Sequence, residues 1–119
     1  AIYIHTTFSV NNHIRVAQIN VQRSVMVLAE LRKLIEDLNL DVICIQEPYS
    51  SKRRVPHMPV TARIILDGEG SMAASIIVNA NLKVVRISYL CNSHTNCFEI
   101  VAPFGRWILI NVYFQFGEE

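Results

Sequence analysis

The sequence predicts one α/β (α+β) domain built on a mixed, largely antiparallel sheet. A strand, an amphipathic helix and a second strand follow one another between residues 14 and 46, an order typical of a parallel crossover unit. After residue 60 the pattern changes to short strands separated by turn residues, which is typical of antiparallel neighbours. A chain of 119 residues suffices for one hydrophobic core, and no internal repeat or linker indicates a domain boundary.

The first predicted strand and helix come after a stretch without a clear period. Residues 1–13 are rich in His, Thr, Asn and Ser, and we interpret them as a terminal arm. A strand is predicted over residues 14–20, ending at the polar Asn20. Ser24 is a candidate helix N-cap. The apolar residues of the helix recur at spacings of three and four: Val27, Leu28, Leu31, Leu34, Ile35 and Leu38.

The second strand is the run VICIQ over residues 42–46, whose continuous apolar character predicts an interior strand covered on both faces. A right-handed crossover would place it parallel to the first strand, with the carboxyl ends of both strands at one edge of the sheet. Asn20 and Glu47 should therefore share that edge, where open α/β sheets commonly bind ligands. The alternative is that Glu47, followed by Pro48, is an ordinary solvated strand end.

The strands predicted for the rest of the chain are separated by short connections rich in Gly, Asn, Asp and Pro. They are expected over residues 62–66, 73–78, 82–90, 97–102 and 107–114. Because the connections are short, consecutive strands are expected to be antiparallel neighbours.

Composition excludes several classes of protein. Charged residues make up 18% of the chain, below the roughly 25% usual in soluble domains, and the formal net charge is only +1. No window of about 18 apolar residues predicts a membrane span, so we expect a soluble, unsecreted protein. Lys52, Arg53 and Arg54 form the one basic cluster; they either contact phosphate groups or form a solvated charge run.

The three cysteines favour a reduced, intracellular setting. Cys44 lies inside the apolar strand and is expected to act as a small hydrophobic residue. Cys91 and Cys97, with His94 between them, could indicate a metal-binding loop. Their spacing matches no common zinc pattern, so an ordinary hairpin loop is the preferred interpretation.

Three ordered motifs resemble the endonuclease/exonuclease/phosphatase superfamily: Gln18-Ile19-Asn20, then Ile45-Gln46-Glu47 after the helix, and then Asn111-Val112-Tyr113. The likeness extends over residues 14–119. It is greatest to the apurinic/apyrimidinic-type endonuclease domain at the start of non-LTR retrotransposon polyproteins. The segments AASIIVNANLKVV and WILINVYFQFGEE are similar to the site-specific elements of insect genomes.

This resemblance implies a four-layer α/β/β/α sandwich of the DNase I-like type, of which residues 1–119 would be the N-terminal half. The family's Gly-Asp-x-Asn and Ser-Asp-His motifs, which supply the water-activating Asp and the catalytic His, do not follow Tyr113. Asp37-Leu38-Asn39 has the Asp-x-Asn spacing but precedes Glu47, so we reject it. His94 and the other three histidines lack the matching context.

The resemblance also implies site roles. Glu47 matches the glutamate that binds the divalent ion, Asn20 matches an asparagine lining the same pocket, and Tyr113 matches a tyrosine beside the scissile phosphate. The ion is expected to be Mg²⁺, with Mn²⁺ possible, because both accept carboxylate, carbonyl and water ligands. No small-molecule cofactor is expected. As alternatives, Asn20 would only cap the turn before the helix, and Tyr113 would be a strand aromatic with its hydroxyl in water.

The implied function is nicking of chromosomal DNA in the nucleus, which leaves a 3′ hydroxyl that primes reverse transcription. As an incomplete domain, the chain alone should be weakly active or inactive. Its partners are then DNA and either the missing C-terminal half of the domain or a second copy, with no membrane. Two alternatives stay open: a non-catalytic binding or dimerising half-domain, and a phosphatase or phosphodiesterase of the same superfamily.

Overall fold

The computed structural model describes residues 2–9, 12–52, 54–68 and 70–114, with side chains described from residue 13 onward. In chain order the elements are β1 (Ile2–Ser9), β2 (Asn12–Asn20), α1 (Val25–Asp37), β3 (Val42–Gln46), β4 (Arg63–Leu66), β5 (Ala73–Ile77), β6 (Lys83–Arg86), a short 3₁₀ turn (Ser88–Leu90), β7 (Thr95–Ala102) and β8 (Gly105–Val112). The one α-helix in these ranges is too short and too polar to span a membrane.

The first sheet has the strand order β1-β2-β3-β5-β4. Strands β2 and β3 are parallel, with Val16 opposite Val42 and Asn20 opposite Gln46, as the crossover predicts. The other pairs in this sheet are antiparallel. The predicted mixed sheet is therefore confirmed, and the ends of β2 and β3 lie side by side.

The interpretation of residues 1–13 as a terminal arm is wrong. Residues 2–9 form β1, an antiparallel neighbour of β2 in which Ile2 lies opposite Ile19 and Ser9 opposite Asn12. Several residues of β1 are β-branched or aromatic, types that favour strands, and the pairing supplies hydrogen-bond partners for its backbone. Apolar and polar residues do not alternate regularly over residues 2–9, so the hydrophobic pattern of the sequence alone does not predict this strand.

Helix α1 covers one face of the first sheet. The Ser24 hydroxyl oxygen accepts a hydrogen bond from the Val27 backbone N–H at 3.2 Å, which confirms the predicted cap. Asn39 follows the helix with a φ of +51°, a left-handed conformation that asparagine tolerates at helix ends. The core between helix and sheet is built from Ala17, Ile19, Val21, Leu28, Leu31, Ile35, Leu40, Ile43, Ile45, Val55, Ala74 and Ile76.

The second sheet, with the order β6-β7-β8, packs on the opposite face of the first. All its pairs are antiparallel. The core between the sheets contains Ile14, Val42, Ile77, Leu82, Phe98, Ile100 and Ala102. The described residues thus form three layers: one helix and two sheets.

Two strand predictions need correction. The segment predicted as a strand over residues 82–90 contains the shorter β6 and then the 3₁₀ turn. Despite their short connection, β5 and β6 are not neighbours, because the chain crosses from the first sheet to the second between them. The crossing is held by Asn79, whose side-chain amide donates to Asp41 Oδ1 at 3.0 Å, while Leu82 is buried between the sheets.

Candidate active site

Glu47 directly follows the interior strand β3, and its backbone is bound on both sides. Its N–H donates to the Met72 carbonyl at 2.9 Å, and its carbonyl accepts from the Arg23 N–H at 2.8 Å. Its φ is +50°, a left-handed conformation uncommon for a residue with a side chain. Such conformations persist where the surroundings determine them, and they concentrate at functional sites. The backbone of Glu47 is therefore held in a fixed place at the sheet edge, and its side chain is half-buried.

Tyr113 reaches Glu47 from the second sheet. It follows the last residue of β8, and its hydroxyl lies 3.4 Å from Glu47 Oε1, a long hydrogen bond. Its backbone N–H donates to the His94 carbonyl at 2.8 Å. The structure thus brings together two of the three predicted site residues, one from each sheet.

His94 belongs to this cluster, although from the sequence it was considered only as part of a metal-binding loop and was given no catalytic role. Its ring stacks on that of Tyr113, with 5.9 Å between the centroids and 27° between the planes. Ser93 Oγ lies 2.9 Å from His94 Nδ1. The register of β7 and β8 would have indicated His94. Thr95 pairs with Val112 in these antiparallel strands, so His94 and Tyr113, the next residues outward, come together.

Asn20 lies at the end of β2, opposite Gln46 and thus beside the strand end that carries Glu47. The side chain is exposed, and its Oδ1 accepts a hydrogen bond from the Gln22 N–H at 2.9 Å. This is the turn-capping contact foreseen as the alternative for Asn20. Within the described residues the contact leaves the Nδ2 group of Asn20 without a hydrogen-bond partner.

A buried amide network joins the two sheets below this edge. Gln46 Nε2 donates to Asn111 Oδ1 at 2.6 Å, and Asn111 Nδ2 lies 3.0 Å from the Ala74 carbonyl and 3.1 Å from Ser75 Oγ. Ser75 in turn donates to Asn96 Oδ1 at 2.8 Å. Because Asn111 lies two positions before Tyr113, the network fixes β8 on β3 and so fixes the approach of Tyr113 to Glu47.

The predicted basic cluster is only partly described. Lys52 and Arg54 are exposed, and Arg53 lies outside the described residues, so their contact with phosphate remains a prediction. Arg23 is a cation that the sequence analysis missed. Besides its backbone contact with Glu47, its exposed guanidinium lies 2.8 Å from the Met72 sulfur and forms no ion pair within the described residues. Its exposed guanidinium therefore adds positive charge near the sheet edge.

The donor set fits a hard divalent ion. Glu47 offers carboxylate oxygens and Asn20 an amide oxygen, which are ligand types that Mg²⁺ and Mn²⁺ accept. Across the described ranges, no group of three or more His, Cys, Asp and Glu side chains could hold a metal. That finding includes the segment with Cys91, His94 and Cys97. Among the described residues, Glu47 is the carboxylate that would hold an ion at this edge, with water and phosphate oxygens as further ligands.

Two stacked sheets with a helix outside one of them, and with a mixed and mostly antiparallel strand order, define a DNase I-like α/β sandwich. Among solved structures, the chain is similar to the endonuclease domain of TRAS1, a telomere-specific non-LTR retrotransposon. The TM-score is 0.78 at 23% sequence identity, over 89% of this chain and 48% of that one. The predicted fold is thereby confirmed, and the chain spans about half the length of the TRAS1 domain.

No family model matches the sequence. No curated protein sequence matches it either.

Proposed function

We propose that this chain is the N-terminal half of a metal-dependent DNA endonuclease domain of the non-LTR retrotransposon type. The observation that carries the proposal is the contact between Glu47 and Tyr113 at the carboxyl edge of β3. It occurs in a fold shared with a retrotransposon endonuclease domain. The same motifs carry the sequence resemblance, so sequence and fold support one assignment.

In this proposal Glu47 is the protein anchor for Mg²⁺ or Mn²⁺. When bound, the ion would polarise a phosphoryl oxygen and stabilise the charge that develops during attack by water. The backbone hydrogen bonds on both sides of Glu47 fix the position from which its side chain extends. Before substrate binds, the hydrogen bond from Tyr113 orients Oε1 and leaves the second carboxylate oxygen for the ion.

Three further groups are proposed to position the phosphate. The Tyr113 hydroxyl can donate to a phosphate oxygen when a substrate displaces it from Glu47. Asn20 Nδ2 is a neutral donor at the same sheet edge. The exposed Arg23 guanidinium supplies positive charge, which is the main source of affinity for a DNA backbone. Preorganised donors of this kind stabilise developing charge in the transition state.

A groove between the sheets supports the view that the domain is incomplete. Its volume is about 730 Å³, and its walls come from β2, β3 and β8. Gln18, Gln46 and Asn111 supply polar groups, while most of the remaining lining is apolar. At the β8 wall, Ile108 and Ile110 are 63% and 60% exposed. We propose that the C-terminal half of the domain covers this groove and brings the general base and acid.

The same groove also favours the second candidate function, a dimerising half-domain that covers its exposed surface with another copy. Static light scattering distinguishes the two: a stable dimer of the chain alone would favour this second function. A monomer that binds the C-terminal half supports the nuclease proposal.

The proposed substrate is a strand of chromosomal DNA in the nucleus, nicked by phosphodiester hydrolysis to leave a 3′ hydroxyl for reverse transcription. A panel of supercoiled plasmid, abasic duplex and phosphoinositide, incubated with Mg²⁺ and both halves of the domain, tests this assignment. We expect nicking of the plasmid without any requirement for an abasic site. Release of phosphate from the phosphoinositide with intact plasmid would instead identify a phosphatase of the same fold.

His94 should support the reaction through Tyr113. Replacing His94 with alanine removes a ring contact whose usual contribution is about 0.5–1.5 kcal/mol, so nicking by the completed domain should slow by about 2- to 10-fold. His94→Phe keeps a ring at this position and should restore most of the rate. Equal losses in both variants would show that stacking on Tyr113 is not what His94 contributes.

A further inference from the structure

Cys91, which follows the 3₁₀ turn, lies against Cys97 in β7. The Cys91 sulfur is 3.3 Å from the Cys97 backbone nitrogen and 3.5 Å from its carbonyl oxygen. The segment carrying Cys91 is held there by two hydrogen bonds, from Ile87 N–H to the Cys97 carbonyl at 2.9 Å and from Cys91 N–H to the Ser88 carbonyl at 3.1 Å. Both thiols are free.

We propose that Cys91 and Cys97 are an oxidation site that a hydroperoxide converts into an intramolecular disulfide, and that a thiol reductant restores. Thiol and disulfide states interconvert when one sulfur can reach the other without a large backbone movement. The Cys91 sulfur already lies within 3.5 Å of the backbone nitrogen and the carbonyl oxygen of Cys97, so the two side chains start close together.

The surroundings assign different roles to the two thiols. Cys91 is partly exposed and contacts the Arg86 guanidinium. This contact is the largest cause of a raised pKa of Arg86, and the hydrogen bond with Asp67 is the second. A neighbouring guanidinium is typical of cysteines that react with oxidants. Cys97 is only 1% exposed, and its burial, followed by the nearby Cys91 sulfur, raises the pKa of Cys97. Cys91 is therefore the thiol attacked first, and Cys97 the thiol that resolves it.

The chemistry balances with the hydroperoxide as sole oxidant. The Cys91 sulfur attacks the peroxide O–O bond, gains an S–O bond to become a sulfenic acid, and the thiol proton leaves with the alcohol or water produced. The Cys97 sulfur then attacks Cys91, the S–O bond breaks, and hydroxide leaves with the Cys97 proton as water. Two thiols lose two electrons in total, and the peroxide gains them.

The disulfide would close a ring around residues 92–96, which include Ser93 and His94. Because His94 stacks on Tyr113, oxidation would restrain the turn beside the candidate active site. The disulfide itself depends only on the two cysteines and their contacts. Its test therefore succeeds or fails independently of the proposed nuclease function.

The test is mild oxidation of the 119-residue chain with hydrogen peroxide, followed by alkylation under denaturing conditions and mass spectrometry. We expect the oxidised chain to lose the mass of two hydrogens and to recover it on reduction. In the oxidised chain, a peptide pair should be linked through Cys91 and Cys97, and Cys44 alone should be alkylated. Cys44 is an internal control, because its burial raises its pKa to about 12 and it lies inside β3.

Matched variants complete the test. Cys91→Ser and Cys97→Ser should each abolish the mass loss, Cys44→Ala should leave it unchanged, and Arg86→Gln should slow it several-fold. A disulfide between chains, a linkage through Cys44, or accumulation of sulfinic acid at Cys91 without a linked pair would each overturn the proposal. Because the main result is obtained on the unsubstituted chain, misfolding of a variant does not decide it.

Discussion

Replacing Glu47 with glutamine should reduce Mg²⁺-dependent nicking by the completed domain by at least about 100-fold. Glutamine keeps the size of the side chain and an acceptor for Tyr113, but it removes the negative charge that anchors the ion. Metal ions supply several kcal/mol of transition-state stabilisation, and each 1.4 kcal/mol corresponds to a factor of about ten in rate. Single-turnover nicking of supercoiled plasmid measures the effect.

Glu36→Gln is the matched control. Glu36 is exposed on α1 and forms an ion pair with Arg32 at 3.0 Å, a type of interaction worth only about 0.3–0.5 kcal/mol. This variant should nick at the unsubstituted rate. If Glu47→Gln retained the activity of Glu36→Gln, the candidate site would be misplaced.

Replacing Asn111 with leucine should lower the free energy of unfolding by about 2–4 kcal/mol. Leucine has a similar volume but leaves the buried Gln46 Nε2 without its Asn111 acceptor. It also removes the hydrogen bonds that Asn111 Nδ2 donates to the Ala74 carbonyl and to Ser75 Oγ. A buried polar group left unpaired costs about 1–3 kcal/mol. Urea denaturation followed by the fluorescence of Trp107, the one tryptophan in the chain, measures the change.

Asn81→Ala is the control for that measurement, because Asn81 is exposed in the turn between the sheets. It should change the free energy of unfolding by less than about 0.5 kcal/mol. A similar small change in Asn111→Leu would show that the amide network contributes little to joining the sheets.

Much of the first sheet could be predicted because local signals agree with the tertiary structure there. The period of α1, its Ser24 cap and the apolar run of β3 all indicate the elements found, and the crossover rule indicates that β2 and β3 are parallel. The exchange between sheets after β5 could not be predicted. It depends on contacts such as Asn79 with Asp41, which are distant in sequence.

The candidate site, too, was only partly predictable from the sequence. The placement of Asn20 and Glu47 at one edge follows from strand direction alone, whereas their roles and that of Tyr113 come from the family resemblance and remain proposals. The approach of Tyr113 to Glu47 depends on how the sheets stack, which no local pattern encodes. Arg23 was missed because its contact with Glu47 runs through a turn in which Gln22 and Arg23 have left-handed φ values of +50° and +57°.

The most direct test of the proposed function is nicking of supercoiled plasmid by residues 1–119, by the C-terminal half of the domain, and by both together, with Mg²⁺ and with EDTA. The proposal predicts activity only in the mixture with Mg²⁺, and none when the first half carries Glu47→Gln. A mixture that associates, as shown by light scattering, yet leaves the plasmid intact would contradict it. Full activity of the C-terminal half alone would do so as well.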